Sequence, residues 1–192
     1  MLKKTLVVLA ILAVSVGARA SEIWWIGSAI EPIVTDSCTP TGNNGNPSSP
    51  PAQTYTTMNC ISGAPQGFAL HGATPPDSGL TMTLHVFWKT SSASNNAVKW
   101  MAHNAVCTSN LSGCLYDEMN PQATVEGATA NLGSEILMET TLPVATLWNE
   151  ATLASCAGTQ CRSKPFLLIF QRNDDSPVNP GTAEVVAVRA VF

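Results

Sequence analysis

The clearest pattern of hydrophobic and polar positions lies between Thr81 and Cys107. Two runs carry an apolar residue at every second position, Met82, Leu84, Val86 and Trp88 in the first, and Val98, Trp100, Ala102 and Val106 in the second. A period of two is typical of a strand with one buried face. The polar segment 90–96 separates the runs, so the pattern predicts a β-hairpin with a long loop and a core marked by two tryptophans.

An N-terminal strand is predicted over 23–34, interrupted by Gly27 and Pro32. Neighbouring residues of a strand point to opposite faces, so Trp24 and Trp25 cannot share one. In one interpretation one indole is core and the other lies on the outer surface or at a contact. The other interpretation, which we favour from the sequence, covers both indoles with loops.

Three further runs read as strands. Ser134–Leu142 turns Ile136, Met138 and Leu142 to one face and Glu135 and Glu139 to the other. Phe166–Arg172 is apolar on both faces, which predicts a strand covered on both sides or placed at a subunit contact. Ala183–Phe192 follows a turn-rich segment and is expected to hold the end of the chain in a sheet.

Short strands joined by long polar connections, without βαβ alternation, predict the fold class. We expect an all-β protein, an antiparallel β-sandwich stapled by disulfides, with a jelly roll as the favoured topology. Residues 21–192 are expected to form this single domain, with a Pro/Gly/Asn-rich loop at about 36–57.

Residues 1–20 have the three parts of a secretory signal peptide. Lys3 and Lys4 are followed by an apolar stretch, and the segment ends in Ala18-Arg19-Ala20. The mature chain is therefore expected to begin at Ser21 and to be periplasmic or extracellular. No further segment reads as a membrane span.

Charge excludes two classes of partner. Three of the nine basic residues leave with the signal peptide, so six remain against 13 acidic ones, a formal net charge of −7. Nucleic acids and anionic membranes attract basic patches, so neither is expected as a partner.

Six cysteines in an exported chain predict disulfides, although fifteen connectivities are open. Spacing favours Cys107 with Cys114 and Cys156 with Cys161, which leaves Cys38 with Cys60 to staple the Pro/Gly/Asn-rich loop. Zinc is disfavoured, because paired Cys-x-x-Cys or Cys/His spacing is missing from the sequence.

A resemblance rests on LHVFWKTSSASNNAVKWMAH and LLIFQRNDDSPVNPGTAEVVAVRAVF. Over about residues 81–192 the chain resembles jelly-roll domains of bacteriophage structural proteins and related bacterial surface proteins. The resemblance implies a trimeric or otherwise assembled sandwich with a structural or receptor-binding role. The signal peptide and the cysteines depart from the phage pattern and favour a bacterial exported protein.

Two cation sites come into consideration. If Trp88 lies opposite Trp100 in the predicted hairpin, His85 lies opposite His103, close enough to share a metal, and Met101 nearby would suit copper. The same register sets Lys89 against Lys99, which argues against it. Calcium could bind the oxygen-rich loop of Asn173, Asp174, Asp175 and Ser176, although a turn is the simpler explanation of those residues.

Enzyme chemistry has little support in the sequence. There is no Gly-x-Ser-x-Gly motif, and the adjacent acids Asp117-Glu118 and Asp174-Asp175 resemble turn residues more than a catalytic pair. No catalytic residue and no cofactor is therefore assigned.

Three functional hypotheses follow. The first is a non-enzymatic module for binding or structure that recognises glycans or a protein surface, or assembles with copies of itself, through the aromatic residues Trp24, Trp25, Phe87 and Phe166. The second is an exported metal-binding protein or hydrolase with a site near His85 and His103. The third is a stapled envelope protein without a ligand.

Overall fold

The computed structural model describes residues 21–33, 37–44, 54–61, 66–76, 81–90, 97–107, 121–129, 137–144, 147–149, 152, 154–156, 159–172 and 181–192. The predicted signal peptide, residues 1–20, lies outside this part of the chain. Within the part described, no helix is long and apolar enough to cross a membrane.

Strands dominate the described chain, with one short 3-10 helix at Gly27–Ala29. In chain order the strands are β1 (Glu22–Ile26), β2 (Ile30–Pro32), β3 (Thr39–Asn44), β4 (Thr54–Cys60), β5 (Gln66–Ala73), β6 (Met82–Thr90), β7 (Ala97–Val106), β8 (Pro121–Thr129), β9 (Met138–Val144), β10 (Trp148–Asn149), β11 (Ala154–Ser155), β12 (Pro165–Arg172) and β13 (Ala183–Val191).

The strands form two sheets. The first has the order β3-β4-β13-β6-β9, and β1 lies beside β13. One edge of β13 is shared, because β4 pairs with Ala183–Val185 and β1 pairs with Ala187–Val191. The second sheet has the order β11-β10-β7-β12-β5-β2, and β8 pairs with β7. The pairs are antiparallel except for the contact between β10 and β7.

One hydrophobic core lies between the sheets, which confirms the all-β sandwich. Its largest side chains are aromatic and contact one another across the interface. Trp88 of the first sheet meets Trp100 of the second with ring centroids 6.0 Å apart, and Trp100 continues onto Phe170 at 5.4 Å. The jelly-roll topology stays a prediction.

The hairpin prediction for 81–107 is wrong, although both strands and both buried faces are confirmed. β6 belongs to the first sheet and β7 to the second. Two strands with one apolar face each can bury those faces side by side against a third element, or against each other. Here they pack face to face, and the six residues between Thr90 and Ala97 are enough chain to span the roughly 10 Å between packed sheets.

Strand β12 is apolar on both faces because it is covered on both. Phe166, Leu168 and Phe170 lie in the main core. On the opposite face Ile169 is 2% exposed and packs with Ala69 and Ala105 in a smaller cluster. The strand therefore needs no subunit contact to bury its side chains, and Phe166 is no surface aromatic.

Two predicted disulfides are confirmed, Cys38 with Cys60 and Cys156 with Cys161, with Cα–Cα distances of 4.5 and 5.9 Å. Cys107 is also disulfide-bonded, and its predicted partner Cys114 lies outside the described residues.

The stretch at about 36–57 differs from the predicted loop. β3 and β4 pair there as an antiparallel hairpin from Thr39↔Asn59 to Asn44↔Thr54. Threonine and tyrosine favour strands, and in TYTTMNC they outweigh the Pro, Gly and Asn residues that precede them.

Candidate functional site

A row of four side chains crosses the outer face of the first sheet. Trp24 of β1 pairs with Arg189 of β13, Arg189 pairs with His85 of β6, and His85 pairs with Thr141 of β9. Residues paired across neighbouring strands lie on the same face of a sheet, so the four side chains stand side by side. The next row contains Phe87, paired with Glu139.

Trp24 and Trp25 divide between the two faces of β1, so the interpretation that covers both with loops is wrong. Trp25 is 3% exposed, donates its indole N–H to the carbonyl oxygen of His71 at 2.8 Å, and packs edge to face on Phe166. Trp24 is 47% exposed. The buried indole thus anchors β1, and the exposed one is presented on the outer face.

Trp24 is held in a stack. Its ring lies nearly parallel to that of Phe87, with centroids 5.5 Å apart and an interplanar angle of 17°. The guanidinium of Arg189 lies 5.2 Å from the Trp24 ring centre and 6.0 Å from that of Phe87. Cation–π attraction and ring stacking together fix the orientation of these three side chains.

Carboxylates surround the stack. Glu139 Oε1 lies 2.5 Å from His85 Nδ1 and 3.7 Å from Arg189 Nη2. On the other side, Glu22 lies 4.0 Å from Arg189 Nη1 and accepts a hydrogen bond from the Trp24 indole at 3.4 Å. We call this set the Trp24 platform: Glu22, Trp24, His85, Phe87, Glu139 and Arg189.

Large apolar side chains are exposed on the same face. Ile26 is 60% exposed and pairs with Ala187, the residue that also pairs with Phe87. Leu137, which directly precedes β9, is 56% exposed and continues the outward alternation of Glu139 and Thr141. The face therefore combines apolar area with charged groups.

The structure separates the residues of the predicted copper site. His85 lies in β6 between Arg189 and Thr141, and His103 lies in β7 of the other sheet, paired with Ile169. The register on which the prediction depended is wrong, because β6 and β7 are not neighbours.

Met101 shares β7 with His103. In the part of the chain that is described, no three His, Cys, Asp or Glu residues come together in a way that could hold a metal ion. The proposed calcium loop, Asn173 to Ser176, and the acid pair Asp117-Glu118 lie outside it.

The lysine repulsion that counted against the predicted register does not arise. Lys89 forms an ion pair with Glu184 at 3.3 Å, and Lys99 is paired across the strands with Glu126. Each lysine thus lies in a different sheet, opposite a glutamate.

His103, on the outer face of the second sheet, has a shifted pKa. Burial lowers the pKa of His103 below its usual range, and a side-chain hydrogen bond with Gln171 raises it in part. Its Nε2 is buried without a hydrogen-bond partner among the described residues. Burial therefore favours the neutral imidazole over the protonated one.

Three platform residues, Glu22, Glu139 and Arg189, had no functional role predicted from the sequence. A single arginine at an outward position of the apolar run AEVVAVRAVF is a signal that could have identified Arg189. The residues next to Arg189 on adjacent strands could not be predicted, because alternation along one strand does not tell which strands lie beside it.

No protein-family model and no curated protein matches the chain. Among solved structures, it is similar to a xylan-binding module, with 10% identity, a TM-score of 0.48, and coverage of 90% of this chain and 97% of that one. A cleaved adhesin domain of Lys-gingipain from Porphyromonas gingivalis has 7% identity and a TM-score of 0.46, over 88% of this chain and 97% of the domain.

An arabinose-bound α-L-arabinofuranosidase has 10% identity and a TM-score of 0.47. The match covers 85% of this chain but only 23% of that enzyme. At identities and TM-scores this low, the similarities carry no argument about the ligand or activity of this chain.

Proposed function

We propose that the chain is an exported, non-enzymatic β-sandwich module that binds a glycan on the Trp24 platform. Export is supported by the signal-peptide pattern of residues 1–20 and by the disulfides, which persist in oxidising compartments. The observation that carries the binding role is the stack of an exposed tryptophan with Phe87 and Arg189 on an open sheet face.

A glycan suits this surface because a sugar ring has an apolar face of C–H groups and a rim of hydroxyls. An aromatic side chain can cover the apolar face, while charged side chains beside it form hydrogen bonds with the hydroxyls. Trp24 supplies the first kind of contact, and Arg189 and Glu22 lie next to it for the second.

The test is binding to an array of immobilised glycans by three proteins. They are the wild type, Trp24→Ala, and the control His71→Ala, which removes an exposed side chain from the second sheet. We expect the control to bind like the wild type and Trp24→Ala to lose about fivefold or more in affinity, since one good stacking contact is worth about 1 kcal/mol or more. Equal binding by all three proteins, or no binding to any glycan, would contradict the proposal.

A second candidate is contact between copies of the chain through the same face. It is favoured by the exposure of Ile26 and Leu137, because large apolar residues grouped on one surface often mark protein contacts. Light scattering on the purified protein tests it. An oligomer that Ile26→Glu dissociates, together with an empty glycan array, would support this candidate over the first.

A further inference from the structure

Among the described residues, Arg189 has hydrogen-bond donors without a partner. A guanidinium carries five N–H groups. In the described part of the chain, carboxylate oxygens of Glu139 and Glu22 lie 3.7 and 4.0 Å from its terminal nitrogens, which is too far for good hydrogen bonds. Arg189 Nε is buried and has no partner among the described residues.

The surroundings of Arg189 are unfavourable for a negatively charged ligand. An anion that approached its guanidinium would also approach Glu22 and Glu139, one on each side. His85 offers little compensation, because its Nδ1 already contacts Glu139 at 2.5 Å. Like charges this close repel, so the platform disfavours carboxylated or sulfated groups.

An uncharged hydroxyl group is not repelled by the two carboxylates. It accepts from a guanidinium through its oxygen and donates to a carboxylate through its hydrogen. The Arg189 guanidinium and the Glu22 carboxylate stand side by side next to the exposed indole of Trp24. Two adjacent hydroxyls of one sugar ring can therefore contact both groups while the ring covers the indole.

We infer that the ligand of the Trp24 platform is an uncharged glycan, whose adjacent hydroxyls bind between Arg189 and Glu22. This inference rests on the proposed function and specifies its ligand. Trp24 supplies the apolar contact, Arg189 donates to one hydroxyl, and Glu22 accepts from its neighbour.

The experiment compares neutral oligosaccharides with their uronate counterparts of the same linkage and length, such as a mannose hexamer against a mannuronate hexamer, and likewise for glucose and galactose. Affinities are measured by calorimetry at low and at high salt. We expect at least one neutral hexamer to bind about tenfold or more tightly than its uronate counterpart, with little dependence on salt.

The variant Glu22→Gln should change the affinities for neutral and anionic glycans in opposite directions. Glutamine keeps an oxygen that can accept from the Trp24 indole but lacks the charge, so a neutral glycan should bind several-fold to about tenfold more weakly. An anionic glycan should bind more tightly to the same variant, because a repelling carboxylate is gone. Glu31→Gln, which changes a carboxylate on the second sheet, is the matched control and should leave affinity unchanged.

The outcomes separate the two proposals. Tighter binding of uronates by the wild type, or tighter or unchanged binding of the neutral glycan by Glu22→Gln, would overturn the inference but keep a glycan-binding platform, provided that Trp24→Ala still weakens binding. No binding of either class, or binding that Trp24→Ala leaves intact, would overturn the proposed function itself.

Discussion

The indole N–H of Trp88 donates to Thr140 Oγ1 at 2.9 Å, whereas that of Trp100, the ring it meets in the core, is buried with no partner among the described residues. The two tryptophans are equally buried and come from opposite sheets. They differ in one hydrogen bond, which makes them a matched pair.

The phenylalanine variants of this pair should therefore differ in stability. Trp88→Phe leaves the Thr140 hydroxyl without its donor, and Trp100→Phe removes an N–H that has no partner in the described part of the chain. Because both lose similar ring area, we expect Trp88→Phe to be less stable than Trp100→Phe by about 1 kcal/mol. Urea unfolding of both variants measures the difference, and a lower stability of Trp100→Phe would contradict it.

The two tryptophans of β1 should behave in opposite ways on truncation. Trp25→Ala opens a cavity in the core and frees the His71 carbonyl, so it should lower the free energy of unfolding by about 3–5 kcal/mol. Trp24→Ala loses only surface stacking and should cost about 1 kcal/mol. Thermal and urea unfolding check both values, and comparable losses would mean that Trp24 is a structural residue.

The two disulfides should contribute unequally. In the loop-entropy account, closing the 22-residue separation from Cys38 to Cys60 stabilises the fold by about 3 kcal/mol, and closing the 5-residue separation from Cys156 to Cys161 by about 2 kcal/mol. The comparison is between the double alanine variants under non-reducing conditions. A larger loss for the Cys156/Cys161 variant would contradict it.

His103 should make stability depend on pH. Its pKa is lowered in the folded protein, so the unfolded chain takes up the proton more readily, and stability falls as the pH drops through about 6.5. The variant His103→Gln should show a shallower loss of unfolding free energy between about pH 7.5 and about pH 5. Identical slopes in the wild type and in His103→Gln would refute the role of His103.

The alternation of apolar and polar residues was sufficient to predict which side chains of a strand are buried, but not which strands pair with one another. It placed Trp88 and Trp100 inside and Glu139 outside, because the side-chain direction of a strand depends only on its own residues. It could not show that β6 pairs with β9 and β13 rather than with β7, since pairing depends on how the sheets close. The expected opposition of His85 and His103 failed for that reason.

The candidate site could not be predicted for the same reason, because it depends on which strands pair. Trp24 was identified as a possible surface aromatic, but Arg189 lies 165 positions further along the chain and reaches Trp24 only through the pairing of β1 with β13. Disulfide pairing was easier to predict, because close spacing along the chain limits the choice for Cys156 and Cys161.

The central claim is that the Trp24 platform holds the ligand, and the indole N–H signals of the five tryptophans in an NMR titration test it most directly. The titrant is the neutral oligosaccharide that the glycan array retains most strongly. The account predicts that the signal of Trp24, assigned through its loss in Trp24→Ala, shifts with saturation while those of the buried Trp25, Trp88 and Trp100 stay in place. A Trp24 signal that does not move while the ligand binds would contradict it.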